Sequence, residues 1–305
     1  MSTMKKMIAG VALAAATTFT AGTAVAHDFP GRHAHAGSTI APDSESYAAI
    51  WYQDIPYASA PNTDPILLSL DVYTLDPAPV NAPVFVYVHG GGGRRGDKAW
   101  PNDIGAKPAF FMKKEGFVFV SVNYRLGDAG AYPVSHQDVA NAVAWVHGNI
   151  ARYGGDASRM FLGGHSSGAA LVARVSTNEM FLENAGKDLS IVKGAITIDG
   201  GSFGGLAGGN AEQGGQREAT TPLHRVAAAK YVPPLLLLHI GNGGGSEKDA
   251  TSMAAAMRAA GHRADVVDLI GKDHFSASSA IGEHDEPATI AVHRFLASVI
   301  KGLVP

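Results

Sequence analysis

Five short stretches, VFVYV (84–88), FVFVSV (117–122), MFLGG (160–164), GAITI (194–198) and LLLLH (235–239), are apolar at nearly every position. A strand points successive side chains to opposite faces, so a run apolar throughout is buried on both sides. Between these runs lie stretches with a helical repeat. In HQDVANAVAWVHGNIARYG the apolar positions are Val139, Ala142, Val143, Val146 and Ile150. SGAALVARVS, SEKDATSMAAAMRAAG and PATIAVHRFLASVI read as further helices, and ILLSLDVYTL and ADVVDLIG as an early and a late strand. Strands buried on both faces and separated by helices predict an α/β fold, with a mostly parallel central sheet covered by helices on both sides. The pattern runs from about Tyr47 to the C-terminus. The 305 residues, 46% hydrophobic and 17% charged, suffice for one core, so residues 47–305 are expected to form a single domain.

Several function classes are disfavoured. The net charge is −3, so no basic face for nucleic acid is expected. No glycine-rich stretch is followed by the lysine and hydroxyl residue of a phosphate-binding loop. There is no cysteine, which removes disulfides. Residues 1–26 read as a signal peptide. Lys5 and Lys6 precede an apolar run too short to span a membrane, and Ala24–Val25–Ala26 fits a small-x-small cleavage site. Cleavage after Ala26 implies a secreted or periplasmic protein with no membrane segment left. Residues 27–46 are expected to form an extended arm. His27, His33 and His35 there invite a metal reading, but a flexible arm lacks a second shell to orient them, so no metal is expected. GGSFGGLAGGNAEQGGQ (200–216) is expected to be a mobile loop at the carboxyl end of a strand.

The chemistry centres on GHSSG (164–168), a G-x-S-x-G pattern with a strand before it and a small-residue helix after it. Such a turn leaves no room for a Cβ at either glycine and lifts Ser166 off the sheet beside the free N–H groups of a helix N-terminus. The bland alternative is a glycine-rich turn without function, which the strand–turn–helix context disfavours. HGGGG (89–93) ends the run VFVYV. Glycines there let backbone N–H groups approach a substrate oxygen, and Gly90 and Gly91, with the N–H of Ser167, are the expected oxyanion donors. A base must follow the last strand. His274 in GKDHFSAS does so, whereas His89, His165, His136, His147 and His293 lie in turns or helices and His284 comes later.

These stretches together, with LDVYTLD, YVHGGGGRRGDKAW, FVSVNYRLG and PPLLLLH, resemble the α/β-hydrolases of the esterase/lipase group that carry an HGGG loop. The likeness is greatest to small bacterial carboxylesterases similar to kynurenine formamidase and prenylcysteine methylesterase. It implies serine-dependent ester or amide hydrolysis without a cofactor, with Ser166, His274 and the Gly90–Gly91 loop at the functional positions. Two departures stand out. Ser167 occupies a place often taken by alanine. In addition, the aspartate usually found soon after the strand corresponding to PLLLLHI is missing, the sequence there being GNGGGSEKD.

The acid of the triad therefore has two candidates. Asp249, near the usual place, fits a capping box with Ser246, and Glu247 has the same helix-start explanation. Asp199 ends the strand AITI and precedes two glycines, and some lipases take their acid from that strand. Asp199 is favoured. Asp138, Arg125 and Asp156 read as ion pairs that hold loops. The function expected is hydrolysis of short or small soluble carboxylic esters through an acyl-enzyme. An amide or formamide hydrolase with the same parts, and a non-catalytic binding protein on the same fold, are the alternatives. Trp51, Tyr52, Trp100 and Phe203 are candidates to line the site, no large cap is expected, and the oligomeric state is left open.

Overall fold

Alternation along single strands shows how the chain builds two cores at once. In β4 (Ala82–Val88) the side chains of Val84, Val86 and Val88 enter one apolar cluster, and those of Phe85 and Tyr87 enter another on the opposite face. The structure, a computed structural model, describes residues 34–36, 48–204, 221–241 and 243–303. The expected signal peptide, most of the arm and most of the glycine-dense loop lie outside the described residues.

The strands are β1 (Ala34–Ala36), β2 (Ala49–Pro56), β3 (Ser69–Leu75), β4, β5 (Val118–Val122), β6 (Gly155–His165), β7 (Val192–Ile198), β8 (Leu235–His239) and β9 (Ala264–Asp268). They form one sheet in the order β1-β2-β3-β5-β4-β6-β7-β8-β9. Pairing is antiparallel from β1 to β5 and parallel from β5 to β9. The fold is thus the mostly parallel α/β sheet that the apolar runs predict, with an antiparallel flank in addition. β2 belongs to that flank. Its residues are half-buried or exposed, so it lacks the wholly apolar signature of the central strands.

Helices α1 (Val134–Asn149), α2 (Ser167–Val175) and α3 (Gly245–Ala259) pack on one face through Val139, Val143, Val172, Met253 and Met257. On the other face lie α4 (Pro287–Leu303), through Val292, Phe295 and Leu296, and an aromatic cluster that includes Phe85 and Phe111, with ring centroids 3.9 Å apart. Among the described residues no helix is long and apolar enough to cross a membrane. Arg125 pairs with Asp138 at 2.6 Å and Arg159 with Asp156 at 2.7 Å, the loop-holding roles expected of these acids. All the parallel strands point their carboxyl ends to one edge. There lie the loop after β4, the turn after β6, Asp199 after β7 and His274 beyond β9. Such an edge is where open α/β sheets place their sites.

Candidate active site

The turn from β6 into α2 is forced by its glycines. A Cβ on Gly164 would lie 2.6 Å from the backbone of Gly168, and one on Gly168 would lie 2.3 Å from the carbonyl oxygen of Val88. This close approach seats α2 directly over the sheet. It leaves Ser166 at φ 55°, ψ −119°, a strained conformation for a residue with a side chain, costing on the order of 1–3 kcal/mol. The Ser166 N–H donates to the carbonyl of Ile198 at 2.9 Å, which ties the turn to the end of β7.

Ser166 Oγ lies 2.9 Å from His274 Nε2, and His274 Nδ1 lies 2.6 Å from Asp199 Oδ2. Asp199 is buried and also accepts hydrogen bonds from the N–H of Ile240, at 3.2 Å, and from the Ser246 hydroxyl. Burial opposes its charge, but the bonds from His274, Ser246 and Ile240 win and hold the carboxyl below its usual range. The hydrogen bond to Asp199, outweighing partial burial, raises the His274 pKa above the ordinary histidine value. An acceptor-only carboxylate fixes Nδ1 as the donor, so Nε2 of the neutral ring faces Ser166 with its lone pair.

Asp249 has a different duty. Its Oδ2 accepts the N–H of Ser202 at 2.5 Å and so pins the chain just beyond Asp199. The expected capping box does not form. α3 begins at Gly245 with Gly244 as N-cap and no side-chain cap, because the Ser246 hydroxyl is taken by Asp199. Glu247 accepts the N–H of Gly243 at 2.8 Å.

The glycine loop corrects one expected oxyanion donor. The Gly90 N–H is donated to Asp103 Oδ2 at 2.8 Å and is therefore committed. Gly91 and Gly92 line a cleft of about 150 Å3 beside Ser166 and His274. No hydrogen bond among the described residues takes their N–H groups. Gly91 has φ +114°, and a Cβ there would lie 2.0 Å from the carbonyl oxygen of Arg95, so only glycine fits. Ser167 opens α2, where the N–H has no intrahelical acceptor. Its hydroxyl accepts the Gly93 N–H at 3.1 Å, which staples the glycine loop to the turn. This gives the serine a use that an alanine would lack.

The cleft is also lined by Arg95, Trp100, Asn102, Asp103, His165 and Phe275. Of the four aromatic residues expected to line it, Trp100 alone does so. Trp51 stacks on Tyr73 at 5.3 Å, Tyr52 meets Tyr153 edge-on at 4.8 Å, and Phe203 is buried in the core. Packing against other side chains is the usual fate of aromatic residues.

Residues 70–206 match the BD-FAE family model, a span that includes the glycine loop, Ser166 and Asp199 but stops short of His274. The solved esterase B of Lactobacillus rhamnosis superposes with a TM-score of 0.66 at 15% identity, over 84% of this chain and 87% of that one. Esterase 2 of Thermogutta terrifontis superposes with a TM-score of 0.61 at 21% identity, over 82% and 91%. The fold is that of the α/β-hydrolases. Phenmedipham hydrolase of Pseudarthrobacter oxydans is 31% identical over 160 residues, 47% of this chain and 31% of that protein. The chain aligns with less than a third of the length of each of the curated relatives it matches first. Within the α/β-hydrolase fold, Gly92, Asp103 and Phe275 are cleft residues that the sequence reading missed. Gly92 was within sight as part of the glycine run, but which N–H of that run stays free depends on Asp103, 13 residues away.

Proposed function

We propose that the chain is a serine esterase acting on small carboxylic esters. The observation that carries this reading is the unbroken hydrogen-bonded series Asp199–His274–Ser166 beside a cleft lined by glycines. Ser166 Oγ attacks the ester carbon as its proton passes to His274 Nε2. The N–H groups of Gly91, Gly92 and Ser167 stabilise the negative charge on the carbonyl oxygen. His274 returns the proton to the departing alkoxide, the acyl C–O bond breaks, and water repeats the sequence to free Ser166. Asp199 stabilises the imidazolium formed at each step. The small cleft supports short acyl groups. Purified protein should hydrolyse p-nitrophenyl acetate faster than the palmitate, and Ser166→Ala should lose about six orders of magnitude in kcat. Equal rates for wild type and Ser166→Ala sink the reading.

We also propose export of the chain. Lys5, Lys6, the apolar run after them and Ala24–Ala26 support it. The secreted or periplasmic product should have the mass of a chain starting at His27. A mass that retains residues 1–26 contradicts this.

A further inference from the structure

Asp103 sits on the helical turn Pro101–Ile104, buried, and both of its carboxylate oxygens are engaged. Oδ2 accepts the Gly90 N–H at 2.8 Å. Oδ1 accepts from the Tyr87 hydroxyl and from the Ser278 hydroxyl, each at 2.8 Å, and lies 3.0 Å from His165 Nδ1. The other nitrogen of His165, Nε2, lies 2.8 Å from the carbonyl oxygen of His274. The two ring nitrogens thus face a carboxylate on one side and a backbone carbonyl on the other, and the ring bridges Asp103 to the backbone of His274. The His165 and His274 rings lie 4.8 Å apart. Behind them the buried ammonium of Lys107 bonds the carbonyl of Asp103, the carbonyl of Ser278 at 2.7 Å and the Ser278 hydroxyl at 3.0 Å.

Three parts of the chain that are remote in sequence, one of them β4 with the glycine loop that continues it, therefore meet on one carboxylate. They are β4 and its glycine loop through Tyr87 and Gly90, the serine turn through His165, and the histidine loop through His165 and Ser278. Buried charges of this kind are expensive, and well-packed apolar residues in their place usually serve stability as well or better. The cost is visible at Lys107, whose pKa burial lowers to about 8 despite the opposing pull of Asp103. What apolar residues could not do is orient an N–H and a carbonyl by direct bonds.

We propose that Asp103 is a positioning residue of the esterase site: it holds Gly90 so that Gly91 and Gly92 face Ser166, and through His165 it fixes the backbone that carries His274. The assignment rests on the esterase reading. Asp103 passes no proton, and with both oxygens engaged it holds the reacting groups in place through these hydrogen bonds.

The test compares wild type, Ser166→Ala, Asp103→Asn, His165→Phe and the double variant Asp103→Asn/His165→Phe on p-nitrophenyl acetate, with circular dichroism and thermal melts on each. Asparagine keeps the shape of Asp103 but has a single acceptor oxygen, so it cannot serve both Gly90 and His165. Asp103→Asn should lower kcat about 100-fold with KM changed less than about threefold, the mark of groups that act in the transition state. His165→Phe keeps a ring of similar size and removes both ring nitrogens, and should lower kcat about tenfold. The double variant should lose no more than Asp103→Asn alone, because the two act in series. If Asp103→Asn does not fold, His165→Phe decides on the same kcat criterion. A folded Asp103→Asn or His165→Phe with wild-type kcat, a loss confined to KM, or fully multiplicative losses in the double variant overturns the assignment. Equal activity of wild type and Ser166→Ala is a different failure, because it removes the esterase reading and the positioning role with it.

Discussion

Ser166 and His274 arrive at one hydrogen bond by opposite routes. Ser166 is placed by its immediate neighbours: a buried strand, two glycines that admit no Cβ, and a helix that begins at the next residue. His274 lies on a loop beyond the edge strand β9, with its side chain 42% exposed and Phe275 beside it 56% exposed. What holds it is remote in sequence: Asp199 is 75 residues away and His165 is 109 away. One half of the machinery is thus fixed by local stereochemistry and the other by tertiary contacts alone. Damage to the first should show as misfolding, and damage to the second as lost catalysis in a folded protein.

The sharpest way to break this contrast is Asp199→Asn. Replacing the carboxylate removes the partner that selects the ring tautomer of His274, and kcat should fall by about four orders of magnitude with the melting temperature little changed. Steady-state kinetics together with a thermal melt check both halves. A collapse of the fold would show that Asp199 belongs with the local scaffold.

The pH profile probes the same loop more gently. Ser166 is activated only by neutral His274, and the bond to Asp199 raises the His274 pKa. The acid limb of kcat/KM should therefore be centred above the ordinary histidine value of about 6.5, with about tenfold loss per pH unit below it. Stability runs the other way. A raised histidine pKa stabilises the fold fully below the unfolded-state value, and the gain is lost as pH rises through the folded-state value. The active form thus predominates where this increment has gone. A limb centred below 6.5 contradicts the pairing.

The smallest effect is expected at Asp249. Asp249→Asn weakens the bond to the Ser202 N–H, leaves the Asp199–His274 contact in place, and should cost about 1 kcal/mol of stability with kcat within about threefold of wild type. Chemical denaturation and the ester assay measure the two. A loss of several orders of magnitude would move the acid's role to Asp249.

The same division explains what could be read from residues alone. The parallel sheet, the helices and the serine turn are written in contiguous stretches, where apolar runs and G-x-S-x-G carry their own stereochemistry. β2 escaped notice because its burial is partial. Asp199 was legible only because a buried acid at a strand end calls for a partner. Asp103 was not legible. It sits in WPNDIG, a stretch with neither periodicity nor motif, and its importance comes from His165, Ser278 and Gly90 converging in space. The expectation that the Gly90 N–H is free for an oxyanion fails for the same reason, since its acceptor is Asp103.

Among the described residues β9 pairs with β8 alone, at the rim of the sheet, whereas the strand that carries Ser166 into its turn has neighbours on both sides. Ile270, in the turn that follows β9, is 82% exposed. Rim segments with few buried contacts open at a lower free energy than the centre, so on warming the stretch that carries His274 should loosen while the rest of the sheet is intact. Amide exchange with deuterium would then be fast along β9 and slow along β6. The temperature at which turnover stops would lie below the melting point, and cooling from that interval would restore it.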